Sequence, residues 1–328
     1  MKFLEKIKSR RLSKTLAALA VGGVLVFGGT AANVSAAPSD NAMWSFKEAY
    51  LSSTTESRPF QGTALLFGTT YHAEANALGQ ILRDGSIRMN GNINWEFTNP
   101  DTDQTSNSNI PIYIEQANGT MTLYAQRNNR WSRLPLPTFP AELANVISTR
   151  DVSVLQENLN AVKAVELFRE DSSQRIFNVT LDGKYIANFF PQPAMPAEDD
   201  AMAVQKMTDT IFQRNFNKAL QNTDVVCTWV FDKVTNQTAT VSFNLTDLMR
   251  AYVSNVFSES EQGKIVIGDE DRHILETLGY FSELHLSATY QSMNLINNIN
   301  SPAGVGNAVL NQNVFNDIRN DLAYTSRK

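Results

Sequence analysis

Three histidines, His72, His273 and His285, and a single cysteine, Cys227, are the side chains of this 328-residue chain best suited to acid–base or nucleophilic work. The histidines lie far apart in sequence, and a Ser/His/Asp arrangement is defined by geometry rather than by composition. Hydrolysis would need a Ser or a carboxylate within hydrogen-bond reach of one of them, in a cleft. Cys227 alternates with Val225, Trp229 and Phe231, as a small buried hydrophobe does, and being alone it makes no intramolecular disulfide. Glu259, Glu261, Asp269, Glu270 and Asp271 gather around Gly263 and Gly268. They lack the alternating ligand spacing of an EF-hand loop and read as a solvated loop. No Gly-rich phosphate loop, HExxH, CxxC or nucleophile elbow is present. The expectation is a protein that performs no catalysis and uses no metal or cofactor. Four Asn-x-Thr triplets, at Asn118, Asn178, Asn236 and Asn244, are of the kind an Asn- and Thr-rich composition yields by chance.

What the sequence does supply is apolar side chains in a pattern. From Ile87 to Phe97 they recur at every second position, with Met89, Ile93, Trp95 and Phe97 on one face and Arg88, Asn90, Asn92, Asn94 and Glu96 on the other. A strand covered on one side and wet on the other belongs to an antiparallel sheet. Asn118-Gly119 then offers the two positive-φ residues of a type I′ turn. With that turn fixed, Gln116 faces Met121, Ile114 faces Leu123, Ile112 faces Ala125, and Tyr113 meets Tyr124 on the opposite side. Trp131 precedes Leu134-Pro135-Leu136-Pro137, which predicts a break in the strand.

Further hairpins are predicted over 161–181, turning near Asp171-Ser172-Ser173, and over 225–245, where Val225, Cys227, Trp229 and Phe231 line one strand and Ala239, Val241, Phe243 and Leu245 line its partner. Helices are expected over 139–160, 201–220 and from Thr246, which can serve as a cap. Leu284, Leu286, Ala288 and Tyr290 mark a last strand. The order predicts an α+β fold, a strongly curved antiparallel sheet (half-barrel) with helices packed on one face. Pro191 to Pro196 reads as a linker and a possible sub-boundary near 191–197. Residues 293–328, rich in Asn, read as a polar tail of weak order.

The N-terminus bounds the setting. Lys2, Lys6, Lys8, Arg10, Arg11 and Lys14 precede an apolar run from Leu16 to Phe27 and a small-residue stretch ending Val34-Ser35-Ala36. This pattern is that of a secretory signal peptide, residues 1–36, cleaved after Ala36. The run is shorter than the roughly 20 residues that span a bilayer, so no stable membrane span is expected after cleavage. The whole chain carries a net charge of −5 at pH 7, and losing the basic signal leaves the remainder, domain 37–292 with its tail, more acidic still. Such a surface repels phosphate backbones, which argues against nucleic acid as a partner.

Three short pieces carry a family resemblance: Asn94-Trp95-Glu96-Phe97 closing a long strand, Arg130-Trp131-Ser132-Arg133-Leu134-Pro135, and Val179-Thr180-Leu181-Asp182-Gly183-Lys184. In these and in its layout from Met43 to Tyr290 the chain resembles the LolA/LppX-like superfamily of envelope lipid and lipoprotein carriers. The resemblance implies a half-barrel closed by helices around an apolar cavity, a lipid or a lipidated envelope protein as partner, and a periplasmic or extracellular location. It differs from the membrane-anchored members in lacking a lipobox cysteine.

The expected ligand-facing set is therefore Met89, Trp95, Phe97, Ile112, Ile114, Met121, Leu123, Trp131, Trp229, Phe231 and Phe243. The alternative is an interaction or scaffolding module in which these same side chains are an ordinary filled core.

Overall fold

The computed structural model describes residues 40–53, 59–68, 71–81, 86–98, 103–117, 120–136, 159–188, 203–268, 275–276, 279–280, 282–290 and 299–311, with residues 156 and 272. The proposed signal and the 191–196 linker lie outside the described residues, as does nearly all of the helix expected over 139–160.

Among the described residues twelve strands make one sheet. They are β1 (Pro59–Gly68), β2 (Tyr71–Ile81), β3 (Ile87–Thr98), β4 (Thr105–Ala117), β5 (Thr120–Arg127) and β6 (Arg130–Leu136). Then come β7 (Val162–Glu170), β8 (Gln174–Leu181), β9 (Val225–Asp232), β10 (Gln237–Asn244), β11 (Ser282–Tyr290) and β12 (Val309–Leu310). The helices are α1 (Asp40–Ser52), α2 (Gly183–Ala187), α3 (Ala203–Asn222) and α4 (Thr246–Glu261). The spatial order β12-β6-β5-β4-β3-β2-β1-β11-β10-β9-β8-β7 resolves into two meanders, β1 to β6 and β7 to β10. β11 joins them by pairing β1 on one side and β10 on the other. Every pairing is antiparallel except the short parallel contact of β12 with β6. The architecture is thus α+β, one partly curved antiparallel sheet with helices on one face.

The period-two reading of β3 holds. Ile87 and Met89 are buried, Ile93 and Trp95 pack against the same core, and Asn90, Asn92, Asn94 and Glu96 are exposed. The register predicted from the Asn-Gly dipeptide is the one observed: Gln116 with Met121, Ile114 with Leu123, Ile112 with Ala125 and Tyr113 with Tyr124. Asn118 and Gly119 themselves lie outside the described residues. At the 171–173 turn the Asp171 carboxylate accepts the backbone N–H of Ser173 and of Gln174 and the Ser173 hydroxyl. These three bonds favour the charged form and hold Asp171 down at about 2.

Four expectations need correction. The strand at β6 runs through Pro135 to Leu136 instead of breaking. Only β12, at Ser132 and Arg133, pairs its outer edge, so the missing proline N–H costs no ladder bond there. Thr246 does not cap α4: its own N–H donates to Asn244 Oδ1, and its hydroxyl accepts the N–H of Leu284 in β11. Glu259 is not a solvated loop residue but a buried member of α4. Residues 299–311, expected to be weakly ordered, lie against the sheet: Ile299 and Val305 form a small second core with Tyr113 and Trp131.

β1, β2 and α1 were not foreseen. The inner positions of β2 are small residues (Ala73, Ala77 and Gly79) that give no aromatic or β-branched signal. Gly79 sits opposite Phe60, and a Cβ there would run into the Phe60 ring.

Candidate functional site

Inner-facing positions of both meanders converge on one continuous apolar core. Met89, Ile112, Ile114, Met121 and Leu123 from the first meander are each 0–2 % exposed, and so are Phe231 and Phe243 from the second. Trp95 and Trp229 are half-buried and pack against the same core. Phe97 lies in β3 one step beyond Trp95, its side chain outside the described residues. Nine of the eleven expected positions therefore lie on the core-facing register of their strands.

Trp131 does not join them. In β6 it pairs with Gln126, the register that puts Leu134 and Leu123 together inside and turns Trp131 outward. There it meets Tyr113 and Val305, and its indole N–H donates to the carbonyl of Ala303. Burial pushes the Tyr113 hydroxyl up to about 12, and the neighbouring Glu115 carboxylate adds to the shift.

The helices cover the β7–β11 half. Phe46 of α1 stands edge-on to Phe177, Trp229 and Phe231, at centroid distances of 5.6, 5.7 and 5.9 Å. Tyr50, one turn on, is edge-on to Trp229 at 5.3 Å. The indole N–H of Trp229 is satisfied by Thr238 Oγ1 at 3.1 Å, which lets the ring sit in the apolar layer at no unpaired cost. Phe46, Tyr50 and Phe177 were absent from the expected set. Ala42, Phe46 and Ala49, at i, i+4 and i+7, form the apolar stripe that would have revealed α1.

α3 and α4 pack on each other through a polar clasp. Arg214 Nη2 donates to both Glu259 carboxylate oxygens, at 2.6 and 2.8 Å, and Asn215 Nδ2 donates to Oε2 at 3.1 Å. The main helix–sheet contacts of the described elements fall on β7, β10 and β11. The inner positions of β3 to β5 are apolar and buried, and none of those main contacts falls on these strands.

Among the described residues the two histidines and the cysteine lie apart, on β2, β11 and β9. His72 is exposed on β2, and His285 on β11 bonds through Nε2 to Glu283 Oε2 at 3.0 Å and stacks on Phe67. His273 lies outside the described residues. Cys227 is fully buried, and burial pushes its thiol up, away from the reactive thiolate. Among the described residues no group of His, Cys, Asp or Glu could hold a metal ion, and no helix is long and apolar enough to cross a membrane.

No protein-family model and no curated protein matches the chain. Among solved structures it is similar to the crystal structure of LprF from Mycobacterium bovis, at 12 % identity and a TM-score of 0.39, over 82 % of this chain and 100 % of that one.

Proposed function

We propose that this protein is exported and binds a hydrophobic ligand, a lipid or a lipidated protein, against the inner face of its sheet, without catalysing a reaction. The observation that carries this reading is the apolar face of β3 to β5, with Met89, Ile112, Ile114, Met121 and Leu123 buried outside the main contacts of the described helices. Two methionines in that patch suit an occupant of variable shape, since the thioether chain is flexible and polarizable. Each acyl CH2 buried there contributes about 0.8 kcal/mol, so a chain of ordinary length suffices for tight retention. The export reading rests on the basic, apolar and small-residue segments of residues 1–36.

A second reading is favoured by the exposures themselves. Side chains at 0–2 % already have neighbours on every side, as in a closed core of an interaction or scaffolding module. Native mass spectrometry of the full chain purified from its own host separates the two. The ligand reading predicts adducts of lipid mass that organic extraction removes. A single unliganded mass from every preparation supports the scaffold instead.

A further inference from the structure

The opposite, outer face of the sheet carries a feature that the ligand reading does not use. Asn178, Thr228, Ser242, Ser287, Thr63 and Asn76 stand side by side on β8, β9, β10, β11, β1 and β2, each paired directly with the next. At about 4.8 Å per strand this row crosses ~24 Å of sheet. None of the six is ionisable, and each bears a hydroxyl or a carboxamide, groups that both donate and accept.

Within the row Thr228 and Ser242 are buried, and in the neighbouring rows Gln61 and Leu78 on one side and Val226 on the other are exposed. At its β8–β10 end the row borders an open depression of about 340 Å³, where Ile176 and Val230 lie beside Asn178, Thr228 and Ser242. Phe168 forms its outer wall. The β7–β8 register slips between Leu167 and Arg169, so Phe168 is the extra residue of a β-bulge. A second slip, between Thr238 and Thr240 of β10, flanks the depression on the far side. Bulges re-aim side chains, and here they bracket one site.

The hydrogen-bonding groups hold one another in position. Thr228 Oγ1 donates to Asn178 Oδ1 at 3.2 Å, Thr63 Oγ1 donates to Asn76 Oδ1 at 3.0 Å, and Asn76 Nδ2 donates to Glu74 at 2.7 Å.

We infer that this depression and the polar row leading from it bind an uncharged oligosaccharide lying across the strands. A polyol matches hydroxyl and amide groups bond for bond without bringing charge. Its ring C–H faces match the apolar Phe168, Ile176 and Val230 beside the polar row. A hydrocarbon would strand the hydroxyls without partners. An anionic polymer would meet the Glu74 carboxylate beside one end of the row and that of Glu166, paired with Asn178, at the other.

The test is isothermal titration of the full chain with cellohexaose, chitohexaose, maltohexaose, xylohexaose and mannohexaose. The inference predicts saturable binding of at least one. F168A and L78A, both at exposed positions, should weaken that binding about tenfold or more while leaving the melting temperature and any co-purifying lipid unchanged. No saturable heat with any of the five at millimolar concentration overturns it, and so does binding that neither substitution weakens. Because lipid retention is read separately, loss of one activity leaves the other assignable.

Discussion

Trp131 donates its indole N–H to the carbonyl oxygen of Ala303 at 3.0 Å, joining positions 172 residues apart in sequence. The contact is the centre of a second, smaller core on the outer face, in which Trp131, Tyr113, Ile299 and Val305 exclude water. Gly304, at φ +83, makes the turn that brings this segment down on the ring, since L side chains rarely adopt that conformation. The outer face of the sheet is therefore covered at its β4–β6 end. W131A should cost about 3–5 kcal/mol if that core opens as a buried aromatic site does. Urea unfolding measures the loss, and faster amide exchange across 299–311 should accompany it.

Phe46 is the corresponding pin on the inner face, held among three aromatic rings of β8 and β9. F46A removes the α1 side of that cluster, with an expected loss of about 3–5 kcal/mol. The same substitution should weaken the near-UV circular dichroism of Trp229, whose ring lies against Phe46. An unchanged spectrum would mean that α1 does not order the cluster.

Glu259 accepts from Arg214 and Asn215 at once, and its side chain is only 9 % exposed. E259A leaves both donors without their acceptor, a loss of about 1–3 kcal/mol on the scale of hydrogen bonds to charged groups. E259Q, which keeps one acceptor oxygen, should recover part of it. The comparison is made by chemical denaturation at neutral pH.

Asp171 gives a pH signature. Its folded-state value of about 2 lies below the ordinary aspartate value of about 3.9, so the charged form is favoured by folding. The stability it contributes is present above about pH 4 and is lost as the pH falls toward about 2. D171N should flatten that part of the profile, because Asn can keep the turn but carries no charge to lose. An identical acid limb in both proteins would remove Asp171 from the account.

Much of this was legible in residue order because the signals were local. β3 showed its faces over successive positions, and the β4–β5 register followed from a two-residue turn and was met pair for pair. The misses were cases where a distant partner decided the outcome. Trp131 reads as one more inner aromatic until the return of 299–311 gives its outer face a cover. Glu259 reads as one acid in a run until Arg214, 45 residues earlier, supplies its counter-charge. β2 was hidden because alanine and glycine make a close-packed inner face only when Phe60 lies across them. The aromatic pin Phe46 sits on a 13-residue helix whose apolar stripe is completed only by Phe177, Trp229 and Phe231, more than a hundred residues later.

The four tryptophans sort the central claim by position. Trp95 and Trp229 border the inner core, Trp131 belongs to the outer core, and Trp44 is exposed on α1. The decisive measurement is fluorescence quenching by a brominated fatty acid in the full chain and in its W95F, W131F and W229F variants. An acyl chain against the inner face should quench the wild type and W131F saturably, and quench W95F and W229F less. Quenching that is absent, or that falls only when Trp131 is replaced, would contradict an inner-face ligand.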